Sequence, residues 1–278
     1  MDKLAFYGKG GIGKSTVSTN VSAVLARGGR RVLHVGCDPK HDSTLPFLEA
    51  APAVTVLDTL FRVPAGALTR EHLVMQGRLG IDCIESGGPE PGVGCGGRGV
   101  SRMFELLDEL RVLDGERYDV AVFDVLGDVV CGGFAAPLRL GPDAQVYLVV
   151  SGEMLTLYAA NNIAHGLVNV SRRGGGRLAG VIANLRGSPW ERPLIESFAE
   201  TLGTRVVGWI PMDRHVALAD MARVTVVERS PEAPAALALR ELAETILTRS
   251  QQELILPRPF SDEELETLCR HHLSECEV

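Results

Sequence analysis

The stretch Tyr7-Gly-Lys-Gly-Gly-Ile-Gly-Lys-Ser15 decides the fold, because it follows the Gly-x-x-x-x-Gly-Lys-Ser pattern of a phosphate-binding P-loop. Its glycines let the backbone turn tightly and direct N–H groups at phosphate oxygens. An apolar strand over 4–7 precedes the loop and an apolar-periodic helix follows it, which is the context that this motif requires. A glycine-rich turn with a chance Lys-Ser pair is the alternative. The stretch predicts a nucleotide-binding α/β protein whose first helix presents its positive end to phosphates.

The residues of this loop have separate expected roles. Lys14 reaches the β- and γ-phosphates, and the Ser15 hydroxyl is offered to Mg²⁺. Lys9 is a second lysine inside the loop, whereas one nucleotide needs only one lysine of this kind. Lys9 therefore serves a second nucleotide across a dimer interface, or it is a solvated loop lysine. The predicted phosphate site comprises Gly8, Lys9, Gly10, Gly11, Ile12, Gly13, Lys14, Ser15 and Thr16.

Composition and charge exclude several classes of protein. The chain has 278 residues, of which 45% are hydrophobic and 23% charged, as in ordinary globular proteins. No apolar run approaches the ~20 residues of a membrane span, and we expect neither a signal peptide nor a membrane partner. The net charge is −7 and no basic stripe is present, which argues against nucleic acid as a partner. These features predict a cytoplasmic protein.

Strands alternate with helices along the whole chain, which predicts a mostly parallel sheet with helices on both faces. No linker or repeat interrupts the alternation, so we predict one P-loop NTPase domain over 1–278, with a C-terminal extended segment and helix from about 254. Short helical pieces are expected near 55–60 and 68–76. The stretch 86–99 is too rich in glycine and proline for a helix or a strand.

Aspartates follow two predicted strands at the edge where α/β proteins place their chemistry. Asp38 and Asp42 come directly after the second predicted strand, and Asp124 ends the apolar strand 118–124. The latter is the Walker B pattern, which puts a carboxylate near Mg²⁺. Asp124 is therefore a predicted magnesium ligand together with Ser15.

Two of the six cysteines lie in glycine-rich loops after different strands, as Gly94-Cys95-Gly96 and Cys131-Gly-Gly133. Such loops expose N–H groups that hydrogen-bond to inorganic or thiolate sulfur. A [4Fe–4S] cluster takes four thiolates, and one chain offers two in this setting, so a symmetric homodimer would supply all four. The same dimer would explain Lys9. Two buried structural thiols are the alternative, because free cysteine is commonly buried.

Several stretches together resemble the nitrogenase iron protein family, which comprises nitrogenase reductase and its relatives. The most specific matches are Pro91-Gly-Val-Gly-Cys95 and Asp128-Val-Val-Cys-Gly-Gly133. Nearly the whole chain is covered, because further matches lie at 7–15, 36–40, 85–95, 97–99, 123–134 and 158–163. The resemblance implies a homodimer with one [4Fe–4S] cluster, held between the subunits by Cys95 and Cys131 of each. It also implies MgATP at each P-loop.

The activity that the resemblance implies is ATP-driven delivery of one electron at a time to a separate catalytic component with its own metallocluster. Ferredoxin or flavodoxin would be the electron donor. Matched positions carry roles: Lys9 reaches across the dimer, and Lys14 binds phosphate. Asp38 and Asp42 lie in the first switch segment (38–42), and Asp128 in the second switch orients the attacking water.

Further matched positions lie on the adenine side and at the docking face. Asn184 and Pro211-Met-Asp213 match the adenine side of the family's nucleotide site. Arg98 matches the docking-face arginine, which in some nitrogenase reductases is ADP-ribosylated. Arg139 follows the Cys131 loop, and we expect it to lie with Arg98 at the rim of the cluster face.

The sequence departs from the family pattern at three places. His41 stands where nitrogenase reductases usually have alanine, and Pro-Lys-His-Asp-Ser is the form found in light-independent protochlorophyllide reductase. Met212 replaces an expected arginine, and Val100-Ser-Arg-Met-Phe104 differs from the usual Val-Ile-Thr-Ala-Ile beside the docking face. The C-terminal Leu256-Pro-Arg-Pro259 resembles nitrogenase reductases. A methylthio-alkane reductase complex, which cleaves carbon–sulfur bonds, is the leading candidate partner, with nitrogenase and protochlorophyllide reductase as alternatives.

Two other classes share the P-loop. A positioning ATPase of the partition or septum-site type has the two lysines and the dimer but needs no cysteine pair. An iron–sulfur cluster carrier usually has its cysteines close together as Cys-x-x-Cys, which this chain lacks. The absorption spectrum of anaerobically purified protein separates these classes, because only a bound cluster gives thiolate-to-iron charge-transfer bands.

Overall fold

A computed structural model describes residues 1–49, 54–88, 96–127 and 135–276. In these residues eight strands form one sheet: β1 (Asp2–Tyr7), β2 (Val32–Cys37), β3 (Met75–Gln76), β4 (Asp82–Glu85), β5 (Val120–Val125), β6 (Gln145–Val150), β7 (Arg177–Asn184) and β8 (Val206–Ile210). Their order is β3-β4-β2-β5-β1-β6-β7-β8. Short β3 runs antiparallel to β4 at one edge, and the other neighbours pair in parallel.

Helices cover both faces of this sheet. They are α1 (Lys14–Arg27), α2 (Val56–Arg62), α3 (Gly96–Glu109), α4 (Ala135–Leu138), α5 (Met154–Ser171), α6 (Glu191–Thr201), α7 (Arg214–Met221), α8 (Val226–Arg229), α9 (Pro234–Thr248) and α10 (Asp262–Cys276). Among the described helices, none has the length and apolar character needed to span a membrane.

Two hydrophobic layers hold the helices on the sheet, one on each face. Successive residues of β1 alternate between the layers: Leu4 and Phe6 belong to one, and Ala5 and Tyr7 to the other. The first layer is shared with α1 and α9, and the second with α3, α5 and α6. Because the strands are buried on both faces, their sequences are near-continuous apolar runs, as predicted. The predicted α/β class with a mostly parallel sheet is confirmed.

The prediction for 86–99 is wrong at its C-terminal end, because α3 begins at Gly96. A Cβ atom on Gly99 would lie 2.8 Å from Leu57 Cδ1 and 3.0 Å from the Gly87 oxygen. Gly99 therefore permits close packing of the helix start on α2. In 68–76 the helical prediction holds only for a single 3₁₀ turn at Arg70–His72, since Met75–Gln76 pairs with β4 as a strand.

The C-terminal segment is docked on the same sheet. Ile255 bridges Leu178 of β7, and the backbone of Phe260 is held by both ends of the Asn161 amide, at 2.8 and 2.9 Å. A capping box precedes α10: Ser261 N donates to Glu264 Oε2 at 2.7 Å, and Glu264 N donates to Ser261 Oγ at 3.3 Å.

Candidate functional site

The P-loop joins β1 to α1, and its glycines take conformations that side chains disfavour. Gly11 has φ 78° and Gly13, which precedes α1, has φ 102°. A Cβ atom on Gly8 would collide with the Val149 oxygen. Because glycine is the N-cap, no side chain caps α1. The arrangement leaves the helix N-terminus available to an anion, as a phosphate-binding loop requires.

Six of the nine predicted phosphate residues border a cavity of about 610 Å³, and Gly8, Lys9 and Ile12 are not part of its described lining. Lys14 is mostly buried beside it and donates to the Lys9 oxygen at 3.2 Å, while Lys9 itself is exposed. The cavity brings together four segments that are distant in sequence: the P-loop, the first switch segment, the start of α3 and the residues after Asp124. Its described lining is Gly10, Gly11, Gly13, Lys14, Ser15, Thr16, Asp38, Pro39, Lys40, Asp42, Gly97, Leu126 and Gly127.

Asp124 lies near the end of β5, with 4% of its surface exposed. Ser43 Oγ donates to its Oδ2 at 2.6 Å, whereas Oδ1 is buried and has no hydrogen-bond partner among the described residues. Burial raises the pKa of Asp124, and the hydroxyls of Ser15 and Ser43 and the charge of Lys14 act in the opposite direction. A buried oxygen without a partner is costly unless a ligand completes it. Oδ1 and the neighbouring Ser15 hydroxyl are oxygen donors of the kind that Mg²⁺ takes.

The first switch segment forms a turn at the cavity edge. Asp38 Oδ1 accepts from Lys40 N at 3.0 Å, and Asp42 is exposed to the cavity. His41 has φ 47°, in the left-handed region, and its Nδ1 lies 3.1 Å from the Pro39 oxygen, to which it donates. Histidine tolerates this conformation better than most residues. The departure from alanine at this position thus has a local structural role.

Glu85 is a second buried carboxyl at this edge, and the sequence analysis missed it. Its side chain lies over Gly36 of β2, where a Cβ atom would collide with the carboxyl. Thr44 N donates to Oε1 at 2.7 Å, while Oε2 has no partner among the described residues. Burial raises the pKa of Glu85 to about 8. In the sequence, one feature could have indicated this site. Glu85 ends an apolar strand, as Asp124 nearly does, and the strand beside it in the sheet contains a glycine, Gly36.

The adenine-side residues occupy different surroundings. Asn184 Nδ2 donates to the Ile12 oxygen at 2.7 Å and packs on Gly13, so it supports the P-loop. Asp213 caps α7, accepting from His215 N at 2.9 Å, and also accepts from Ala235 N of α9 at 3.1 Å. Neither Asp213 nor Pro211 is part of the described cavity lining. Asp213 therefore joins the starts of α7 and α9.

Two further residues that the sequence analysis missed support the P-loop from outside. Arg186 Nη2 donates to the oxygens of Gly11 and Ile12, at 3.4 and 3.5 Å. Glu191 is 2% exposed and accepts three backbone N–H groups of the loop 186–188, at 2.9 to 3.0 Å. The loop after β7 is thereby fixed against the P-loop.

The two arginines predicted for docking lie on adjoining elements. Arg98 is exposed in the first turn of α3, and exposed Arg139 directly follows α4, which packs against α3. Gly97 lines the nucleotide cavity and directly precedes Arg98, so the first turn of α3 borders both the cavity and the predicted docking face. The predicted cluster ligands Cys95 and Cys131 and the predicted catalytic Asp128 lie outside the described residues.

A P-loop between the first strand and the first helix, with a buried Walker B carboxyl beside it, defines a P-loop nucleotide-binding protein. The profile of "4Fe-4S iron sulfur cluster binding proteins, NifH/frxC family" matches residues 2–274. The chain is also 44% identical over 275 residues to a nitrogenase iron protein of Methanospirillum hungatei, covering 98% of this chain and 96% of the relative. The chain therefore belongs to the NifH/frxC family of iron proteins.

Solved structures with the same fold include two cell-division ATPases. The septum site-determining protein MinD of Pyrococcus horikoshii, solved with Mg-ADP, has TM-score 0.70 at 21% identity, covering 89% of this chain and 97% of its own. MinD of Pyrococcus furiosus also has TM-score 0.70, at 22% identity, covering 89% of this chain and 99% of its own. At such identities the likeness concerns the fold alone.

Family membership confirms the coarser functional predictions. The cofactors of the family are a [4Fe–4S] cluster, one per homodimer, and MgATP. The chain is an ATP-dependent reductase component that works as a homodimer with a separate catalytic component. The positioning-ATPase and cluster-carrier alternatives do not fit the family that the chain matches.

Proposed function

We propose that the homodimer binds one [4Fe–4S] cluster through Cys95 and Cys131 of each subunit and uses MgATP hydrolysis to deliver single electrons to a nitrogenase-like partner. The observation that carries this function is the cavity of about 610 Å³ where the P-loop, Asp38, Asp42 and Gly127 meet. From that cavity the chain continues towards both cysteine segments. A bound cluster would supply one-electron transfer, which the side chains of the described residues do not offer.

Within the nucleotide site the proposed roles follow charge and position. Lys14 and the P-loop N–H groups hold the phosphates, and Ser15 with Asp124 Oδ1 would hold Mg²⁺. A bound Mg²⁺ would neutralise phosphate charge. Asp128 would orient the attacking water, and Lys9, which is exposed, would reach the nucleotide of the other subunit.

Coupling between nucleotide and cluster would use two contacts beside the cavity. A Cβ atom on Gly127 would lie 2.5 Å from Gly10 N, so the segment after Asp124 rests directly on the P-loop. Gly88 packs as closely on Pro39 of the first switch segment. Both segments lead to the cysteines, so a shift of either contact would move a cluster ligand.

Asn184, Pro211 and Asp213 belong to the adenine side in this function, and the contacts of Asn184 and Asp213 support an indirect role for these two. Asn184 positions the P-loop, and Asp213 fixes the starts of α7 and α9. Met212, which lies between Pro211 and Asp213, is 75% exposed, and in this function it would contact the base. The whole chain, 1–278, would act as one domain.

For the partner, we propose a methylthio-alkane reductase catalytic component, docked at Arg98 and Arg139, with ferredoxin or flavodoxin as donor. Support comes from the departures in α3. Arg102 is on the surface, paired with Glu105 and Glu109 at 2.9 Å each, so the change there alters the docking helix. Met103 is buried, and its change alters packing only.

Iron analysis of anaerobically purified variants tests the shared cluster. Wild type should hold about four irons per dimer, because four thiolates come from two chains. Cys95→Ala or Cys131→Ala should each lose the whole cluster, since each removes two ligands. Cys269→Ser, a partly exposed cysteine on α10, is the matched control and should keep its iron. A full cluster in Cys131→Ala, or none in Cys269→Ser, would refute the assignment.

Reconstitution with purified catalytic components identifies the partner. We expect substrate reduction with the methylthio-alkane reductase component, and none with the nitrogenase or protochlorophyllide components. Arg98→Glu should suppress this turnover while leaving cluster content normal. Arg30→Glu, a charge reversal on an exposed arginine beyond the end of α1, is the control and should change nothing. Turnover with nitrogenase alone would replace the proposed partner.

A further inference from the structure

His34 is a buried imidazole in the middle of β2, on the face that packs against α1. Both ring nitrogens have partners: Ser22 Oγ of α1 lies 2.8 Å from Nδ1, and Ser43 Oγ lies 2.9 Å from Nε2. All three residues are at most 2% exposed. Ser43 in turn donates to Asp124 Oδ2 at 2.6 Å. A continuous buried chain of hydrogen bonds therefore runs from α1 to the Walker B carboxyl.

The number of available hydrogen atoms determines which group donates in each of these hydrogen bonds. An ionised Asp124 only accepts, so the single hydroxyl hydrogen of Ser43 goes to Oδ2. Ser43 Oγ must then accept from His34, which requires the hydrogen on Nε2. Nδ1 is consequently the acceptor, and Ser22 donates to it. Burial lowers the pKa of His34 to about 3, consistent with a neutral ring that carries one hydrogen.

We propose that His34 is a positioning residue for the magnesium site. Its Nε2–H holds the Ser43 oxygen so that the Ser43 hydroxyl points at Asp124 Oδ2, which leaves Oδ1 as the oxygen directed to the metal. This role rests on the proposed function, because it takes Asp124 as a magnesium ligand.

The same contact acts on the first switch segment. Ser43 directly follows Asp42, which lines the cavity, so His34 fixes the end of that segment to β2. Thr44, the next residue, is fixed separately by Glu85 Oε1. Position 34 therefore influences the metal carboxyl and the switch segment through one hydroxyl.

The test compares binding of a fluorescent ATP analogue across a range of Mg²⁺ concentrations. His34→Leu fills the space but removes both hydrogen bonds. We expect the Mg²⁺ concentration for half-maximal binding to rise about two- to tenfold, the equivalent of one ordinary hydrogen bond. Binding in EDTA, without Mg²⁺, should be unchanged, which a general loss of structure would not produce. Tyr147→Phe, which removes a buried hydrogen bond to Gln145, is the matched control and should behave as wild type.

A double-mutant cycle decides whether His34 acts through Ser43. In a Ser43→Ala background, His34→Leu should produce no additional change in Mg²⁺ dependence. Additive effects, or an unchanged Mg²⁺ dependence in His34→Leu, would overturn the role. If His34→Leu does not fold, His34→Gln retains a donor towards Ser43 and should stay near wild type, and a loss equal to that of Ser43→Ala would count against it.

The experiments distinguish a failure of the proposed magnesium site from a failure of the positioning role of His34. If Asp124→Asn leaves Mg²⁺ dependence unaltered, Asp124 is not a magnesium ligand and the proposed nucleotide site is wrong. If Asp124→Asn abolishes the dependence while His34→Leu has no effect, only the positioning role of His34 is wrong.

Discussion

β4 and β5 lie on either side of β2, and each has a buried carboxyl at its C-terminal end: Glu85 is the last residue of β4, and Asp124 is the last but one of β5. Gly36 of β2 pairs with Glu85 in one direction and with Asp124 in the other. Each carboxyl has one oxygen held by the chain just after the first switch segment, through Thr44 N and Ser43 Oγ. Each has a second oxygen without a partner in the described residues. The two sites differ in the charges that surround them.

Asp124 is flanked by Lys14 and the Ser15 hydroxyl, which lower its pKa against the larger effect of burial. Glu85 has no cation among the influences on its pKa, and neighbouring Asp124 and Asp42 raise it further. The comparison shows that two carboxyls buried to a similar degree behave differently when the charges near them differ. Asp124 is suited to meet a metal cation, whereas Glu85 is neutralised by taking a proton.

The largest effect should come from removing the charge of Asp124. Asp124→Asn should weaken Mg²⁺-dependent nucleotide binding about a hundredfold, because truncating a buried charge partner costs ~2–5 kcal/mol. Glu85→Gln is the control: it keeps the acceptor for Thr44 N and should change the affinity less than about twofold. Equilibrium titrations with and without Mg²⁺ measure both. Equal losses in the two variants would show that the sites do not differ.

The next effect is a pH dependence of stability that belongs to Glu85. Its pKa is about 8 in the folded chain against 4.5 unfolded, so the folded state holds the extra proton between these values. Folding stability must therefore fall as pH rises through this window, by about 1.4 kcal/mol per pH unit. The measurement is the difference in unfolding free energy between wild type and Glu85→Gln, without nucleotide or Mg²⁺.

Asp119 provides a control of opposite sign. Hydrogen bonds from Arg31 lower its pKa to about 2. The contribution of Asp119 to folding stability is lost only as pH falls through the pKa that Asp119 has in the folded chain. The difference in unfolding free energy between wild type and Asp119→Asn should therefore be constant over the pH window in which Glu85 titrates. A Glu85→Gln difference that is flat with pH would contradict a protonated Glu85.

The sequence predicted the parts of the site that local patterns encode. The P-loop and Asp124 follow motifs of adjacent residues, and the alternation of elements predicted the sheet. Arg186 and His34 could not be found in this way, because their partners, Gly11 for one and Ser22 and Ser43 for the other, are brought near only by folding. Composition failed at Gly99, where glycine permits close packing within a helix.

The resemblance assigns roles that the described residues do not test. It places Asp213 on the adenine side, which stays a prediction, and the structure adds that the hydrogen bonds of Asp213 join the starts of α7 and α9. It assigned Cys95, Cys131 and Asp128, which lie outside the described residues and stay predictions. A motif match predicts the chemical role of a residue, but it does not predict which neighbouring residues orient its side chain.

The comparison of β4 and β5 extends to the loops that leave them, and it gives the smallest predicted effect. Gly127 after β5 packs on the P-loop itself, since a Cβ atom there would lie 2.5 Å from Gly10 N, whereas Gly88 after β4 packs on Pro39. Gly127→Ala should therefore lower nucleotide affinity about tenfold, since overpacking against backbone costs ~1–3 kcal/mol. Gly88→Ala displaces only the switch segment and should lower affinity less than about threefold.

Both variants should also reduce the effect of MgATP on iron chelation, if each loop transmits a shift from the nucleotide to a cysteine. We expect MgATP to accelerate iron removal from the wild-type cluster, and Lys14→Gln to abolish the acceleration. Gly66→Ala, where a Cβ atom meets open space, is the control for a glycine substitution and should match wild type. A larger effect of Gly88→Ala than of Gly127→Ala on nucleotide affinity would reverse the order of the two loops. If neither substitution changes the acceleration of iron chelation by MgATP, the two loops do not transmit a shift from the nucleotide to the cluster. Their contacts would then support the nucleotide site without moving a cysteine.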